Sequence, residues 1–278
     1  TDGKSVTIGA NINEKNFDHV VGLALHEGSH IVYSDFEVFK DVRHWNKIRD
    51  WDLTSERMEF LRGMINYIED RRIDNIVFTS SPGYKGYYHT LYSKYFNNKK
   101  IGKGLQSTMY RELDFESYMF RIVNFTNEGT DLNALPRLLD IYRLIDMKNI
   151  SRLKSTDDAI EVAKSVCDVV FKLVEENQGT GQQKENGEGE EDSEGEEENG
   201  SSPNSSGNGT EVDTGDKEMT PEDGQPTEGE EISDTMKKSI ENIYKKTKEL
   251  LEGTTPKSKM TKGDKQIVDA LGNSNSEL

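Results

Sequence analysis

The chain has 278 residues, 32% hydrophobic and 31% charged, with a formal net charge of -17. Between Gln178 and Glu231 stand 18 acidic residues and 2 lysines, leaving 33 basic and 34 acidic of the chain's 35 and 52 elsewhere, so the acidity belongs to one segment. Neither part has the basic stripe of a nucleic-acid binder. No apolar run approaches the ~20 residues of a membrane span, and the single cysteine, Cys167, excludes an intramolecular disulfide. Neither nucleic acid nor membrane is an expected partner, and a reducing, cytoplasmic compartment fits the cysteine usage.

Residues 4–12 alternate Val6, Ile8 and Ala10 with Ser5, Thr7 and Gly9, which predicts a short strand. Asn16 or Asp18 then caps a predicted helix running to about Ser34. A second long helix is expected over 54–78 with Thr54 or Ser55 as its cap, and Pro82-Gly83 forces a turn after it. A tyrosine-rich segment follows (Tyr84, Tyr87, Tyr88, Tyr92 and Tyr95), for which packing is the ordinary role. Three more helices fit 115–125, 132–147 with Pro136 near its first turn, and 156–176. The last has Thr156 as its cap and Asp157 and Asp158 in its first turn. The segment 178–231 lacks aromatic residues and is rich in Gly, Glu, Ser and Asn, so it cannot bury enough apolar surface to offset ordering and reads as a disordered linker. Residues 232–251 form an amphipathic pattern needing a partner. The expected organisation is a predominantly α-helical α+β domain at 1–177, the acidic linker at 178–231, and a helix and tail at 232–278 that begin a further domain.

The chemistry-bearing run is His26-Glu27-Gly28-Ser29-His30. Histidines four apart on a helix share a face and can grip one ion, and the intervening carboxylate can take a proton from water beside it. On a helical projection Phe17, Val21, Ala24, Gly28, Ile31 and Val32 form the expected core stripe, and His26 and His30 fall on the opposite side at about 180° and 220°. Zinc, one per chain, needs a third protein ligand, and the segment Tyr67-Ile68-Glu69-Asp70-Arg71-Arg72-Ile73-Asp74 offers three acids. Met58, Leu61, Ile65, Ile68 and Ile76 define the buried stripe there, and Glu69 sits about 50° from its centre, with Asp70 and Asp74 about 150° or more away. Glu69 is therefore the expected third ligand and Asp70 the alternative. A salt bridge from Glu69 to Arg72 is the structural competitor, because an unpaired carboxylate at the edge of a core is costly. His19, His44 and His89 leave a third-histidine arrangement open. His89 and the tyrosines of 84–95 are candidate donors to a developing oxyanion.

Thr1-Asp2-Gly3-Lys4 leading into a strand, followed by Leu25-His26-Glu27-Gly28-Ser29-His30, resembles the metallopeptidase-like domain found before von Willebrand factor A domains. The run Ile68 to Asp74, with Pro82-Gly83-Tyr84-Lys85-Gly86-Tyr87-Tyr88, is similar to tailed-phage members of that group. The likeness covers residues 1–96 well and the later helices loosely. It implies a zincin-like fold, zinc on His26, His30 and Glu69, Glu27 as catalytic base, a protein or peptide substrate, and a von Willebrand factor A domain in the full-length chain. A phage protein of this kind would act in the host cytoplasm. One departure is visible: the thermolysin-type pattern has Asp four residues after the ligand Glu, whereas here Asp74 follows Asp70 at that spacing. That keeps Asp70 as a ligand with Asp74 behind it. The rival reading is a catalytically silent scaffold or interaction module, against which an intact Glu27 argues.

Overall fold

The computed structural model describes residues 5–6, 12–40, 51–182 and 231–251. Within them the chain is predominantly helical: α1 Phe17–Tyr33, α2 Phe36–Lys40, α3 Ser55–Ser80, α4 Lys85–Tyr95, α5 Lys99–Gln106, α6 Phe115–Val123, α7 Leu138–Ile145, α8 Thr156–Gln182 and α9 Asp234–Leu251. Short 3-10 turns lie at Pro82–Tyr84 and Met147–Arg152. The strand expected at 4–12 falls outside the described residues apart from its edges, as does the acidic segment from 183 to 230.

The fold is organised around α3. Thr54 caps it as expected, its hydroxyl accepting from Arg57 N at 3.3 Å, and the helix runs 26 residues, about 39 Å, before Ser81 and Pro82 end it. Every residue from Tyr67 to Asp74 is buried, charged ones included. A helix enclosed on all sides has no single apolar stripe, which is why the projection of its acids onto one buried face misled. α8 and α6 pack along one flank, where Phe60, Phe115, Phe171 and Trp51 meet with ring centroids 5.2 to 6.1 Å apart. Fully burying rings of this size contributes roughly 1.5–3 kcal/mol each.

Several boundaries differ from the sequence expectation for local reasons. α8 is opened by Ser155 rather than Thr156: Ser155 Oγ accepts from Asp158 N at 3.2 Å, and Asp158 Oδ2 accepts from Ser155 N at 3.1 Å, a reciprocal capping box. Thr156 is thereby released for another contact. The helix expected from 132 begins only at Leu138, after Pro136, with Arg137 in the left-handed region at φ 60°. Proline disfavours helical backbone at the residue before it and removes a donor. α5 has no counterpart in the sequence reading, because Gly102 and Gly104 lower its helix propensity. Both glycines are contact points: a Cβ on Gly104 would lie 3.0 Å from Ile240, and one on Gly102 2.9 Å from Asn127 Oδ1. Asn16 precedes α1 but makes no side-chain cap bond to it.

The C-terminal helix α9 was expected to begin another domain. It instead packs on this core. Ile240, Tyr244 and Leu251 are buried, Tyr244 meets Tyr110 and Phe120 edge-on, and Thr247 Oγ1 donates to Tyr95 O at 3.0 Å. The partner that an isolated amphipathic helix requires is therefore the domain at the other end of the acidic segment.

Candidate metal centre

The helix α1 presents the opposite face from the one expected to be core. Phe17 and Val32 are exposed, and Gly22, His26, Glu27 and Ser29 are buried. The inward face lies on α3 and α4, with a close approach at Gly22, where a Cβ would stand 2.5 Å from Tyr87 O. Two turns later Ser29 Oγ donates to Leu25 O at 2.6 Å and lies 3.3 Å from Tyr88 Oη. At the helix end Arg72 Nη2 donates to Tyr33 O at 2.6 Å, satisfying a terminal carbonyl with a buried cation. The histidine side thus faces the interior, and the motif is not a pair of surface histidines.

His26, His30 and Asp70 converge, offering ligand atoms all within 4.8 Å of one another. Asp70 Oδ1 is 3.0 Å from His30 Nε2 and 3.6 Å from His26 Nε2. The other ring nitrogens fix the tautomers. His26 Nδ1 lies 2.8 Å from Asp74 Oδ1, and a carboxylate only accepts, so Nδ1 carries the proton. His30 Nδ1 is 2.9 Å from Ser34 Oγ, whose own hydroxyl proton goes to Glu69 Oε1 at 2.7 Å. Ser34 must therefore accept, and His30 Nδ1 is again the donor. In the neutral rings both Nε2 lone pairs then point at the same carboxylate, an arrangement that repels unless a cation lies between them. A divalent metal fits this donor set.

Protonation answers the same demand when no metal is bound. Burial opposes a charge on His26, yet the Asp74 and Asp70 carboxylates outweigh it and hold its pKa well above the usual 6.5. Burial would raise Asp70, but the adjacent His26 and His30 hold it well below the usual carboxylate range.

Glu69, expected as third ligand, is placed elsewhere. It is fully buried, and its oxygens are taken up by Arg72 Nε at 2.7 Å, Arg72 Nη2 at 2.6 Å, Ser34 Oγ at 2.7 Å and Thr156 Oγ1 at 3.0 Å. The competing salt bridge to Arg72 is the arrangement found, and Asp70 is the acid that converges with the two histidines, with Asp74 one turn on, behind His26. The spacing of Asp70 and Asp74 was the sequence signal for this. Ser34 and Thr156 carried no such signal, since their relation to Glu69 depends on chain segments 35 and 87 residues away.

Among the other candidates, His19 Nε2 meets Lys94 Nζ at 2.6 Å and His89 stacks on Phe78 at 6.4 Å, so neither joins the cluster. His44 lies outside the described residues. Of the tyrosines, Tyr88 sits with its ring 6.5 Å from that of His26, and Tyr92 donates its hydroxyl to Asp74 Oδ2. Burial, reinforced by Asp74, pushes the Tyr88 phenol upward, so it remains a donor. No protein-family description, curated protein or solved structure matches this chain.

Proposed function

We propose that the chain is a zinc-dependent peptidase of the zincin type, in which His26, His30 and Asp70 hold the metal and Glu27 is the general base. The observation that carries this reading is the convergence of two tautomer-fixed Nε2 atoms on the Asp70 carboxylate. Charge supports it. On α1 and α3 four buried carboxylates, Glu27, Glu69, Asp70 and Asp74, stand against two buried guanidiniums, Arg71 and Arg72, a formal excess of two negative charges that a divalent cation would neutralise.

Zinc, when bound, supplies Lewis-acid activation of water and of a substrate carbonyl. The protein's residues do the rest. Asp74 and Ser34 orient the two imidazoles, and Glu27, a buried residue between the histidines on α1, accepts a proton from the attacking water and returns it to the leaving amine. Tyr88, its phenol kept protonated and its ring 6.5 Å from that of His26, is the candidate donor to a developing oxyanion, for which its hydroxyl would leave Ser29 Oγ. The substrate class is protein or peptide. By the resemblance, a von Willebrand factor A domain is the partner in the full-length chain and the host cytoplasm is the compartment.

Replacement of Glu27 by Gln keeps size and hydrogen bonding but removes the proton acceptor. The variant retains zinc and fold while cleavage of a responsive substrate falls at least ~100-fold, within the range for general-base help. An unchanged rate removes Glu27 from the mechanism. A zinc-loaded wild type that cleaves nothing in a broad peptide library replaces the peptidase with a metal-binding scaffold.

A further inference from the structure

Arg71 is buried within α3, and among the described residues its Nε has no hydrogen-bond partner. Its guanidinium lies over three rings, Tyr92 at 4.4 Å, Phe96 at 4.9 Å and Tyr67 at 5.2 Å from the centroids. Cation–π contacts of this kind offset part of the cost of burying the charge, but they do not explain why a cation stands here when an apolar side chain would fill the same space. The polar atom it faces is Asp74 Oδ2, 3.9 Å from Arg71 Nη2. Tyr92 donates its hydroxyl to that same oxygen, and the other oxygen of Asp74 takes the proton of His26 Nδ1.

Asp74 and Asp70 are one helical turn apart and both lie beside His26, so either carboxylate has a route to a metal at this place. What separates their roles is that Oδ2 of Asp74 is engaged from behind by a phenol and a guanidinium, whereas Asp70 turns Oδ1 to both imidazole Nε2 atoms. We propose that Arg71 and Tyr92 are positioning residues that set metal affinity by anchoring Asp74, keeping it on His26 Nδ1 and leaving the ligand position to Asp70. This rests on the metal-site reading above. The partners behind a ligand histidine tune it, and losing one typically costs ~10–100-fold in metal affinity.

The test is zinc affinity by competition with a chromophoric chelator, with metal-free thermal melting as the check of fold. Tyr92→Phe removes one hydroxyl and keeps the ring that packs on Phe96. Arg71→Met removes the charge and Arg71→Lys retains it. The expected result is a ~10–100-fold weaker zinc complex for Tyr92→Phe and Arg71→Met, with Arg71→Lys closer to wild type, and an altered visible spectrum of the cobalt-substituted protein. In an Asp74→Asn background, Tyr92→Phe adds little further loss, because its effect passes through Asp74. Wild-type affinity in Tyr92→Phe overturns the proposal, even where Arg71→Met fails to fold. So does a loss fully additive with Asp74→Asn, which assigns the effect to general packing. A wild type that binds no zinc at all is a different outcome, overturning the metal site itself and this proposal with it.

Discussion

Glu69→Ala separates a structural carboxylate from a ligand. The substitution strips the partner from Arg72, 2% exposed, and from the hydroxyls of Ser34 and Thr156, which all converge on Glu69. Removing one member of a buried ion pair leaves an uncompensated charge and costs about 3–5 kcal/mol. The pair also links three parts of the fold, the end of α1 through Tyr33 O, the middle of α3, and the start of α8 through Thr156. For a domain of this size each kcal/mol lowers Tm by roughly 2–4 °C, so the expected drop is about 6–20 °C in thermal unfolding with chelator present. Zinc affinity falls less than when a ligand is removed, within the ~10–100-fold that losing a hydrogen-bond partner of a ligand costs, because Ser34 still accepts from His30. Asp70→Ala gives the inverse: stoichiometric zinc binding is lost, with a smaller change in the metal-free Tm. If Glu69→Ala melted like wild type and lost its zinc, the ligand would be Glu69 and the geometry described above would be wrong.

Further outcomes follow from the same contacts. The metal-free protein becomes less stable as pH rises above about 6.5: the folded-state pKa of His26 is raised, so its contribution is complete below the unfolded value of 6.5 and is lost through the folded value. Asp70 is depressed and contributes above 3.8, so metal-free melting is highest between roughly pH 4 and 6.5, and added zinc removes the decline on the alkaline side. Ile240→Ala, which deletes a fully buried side chain packed on Gly104, costs about 2–5 kcal/mol in chemical denaturation; a neutral result would detach α9 from the core. Gly22→Ala forces α1 away from Tyr87 O and weakens both stability and zinc binding, whereas Gly28→Ala, with open space around its Cβ position, leaves both near wild type.

The sequence was informative where local rules decide. Thr54, Pro82 and the His26-Glu27-Gly28-Ser29-His30 run marked a helix start, a stop and a two-histidine face from residues within a few positions of one another. It failed where long-range enclosure decides. Projecting α1 onto an apolar stripe assigned the Phe17–Val32 side to the interior, but the buried side is polar and is held by Tyr88, Asp70 and Asp74. Projecting α3 chose Glu69 over Asp70, because the helix is buried on every side from Tyr67 to Asp74 and gives no preferred face there, and Glu69 pairs with Arg72 three residues on. The spacing of Asp70 and Asp74 held better information than the hydrophobic pattern, since i and i+4 neighbours are set by helix geometry alone. Tyr92, Ser34 and Thr156 belong to the site only through tertiary packing.

The central claim is that His26, His30 and Asp70 hold one divalent metal. X-ray absorption at the zinc edge, on protein loaded without chelators and quantified per chain, addresses it most directly. The expected spectrum shows one zinc per chain with two imidazole nitrogens at about 2.0–2.1 Å and oxygen completing the sphere at about 2.0–2.2 Å, and that zinc is lost in Asp70→Ala. Absence of stoichiometric zinc in the reconstituted wild type, or an unchanged site in Asp70→Ala, would contradict it.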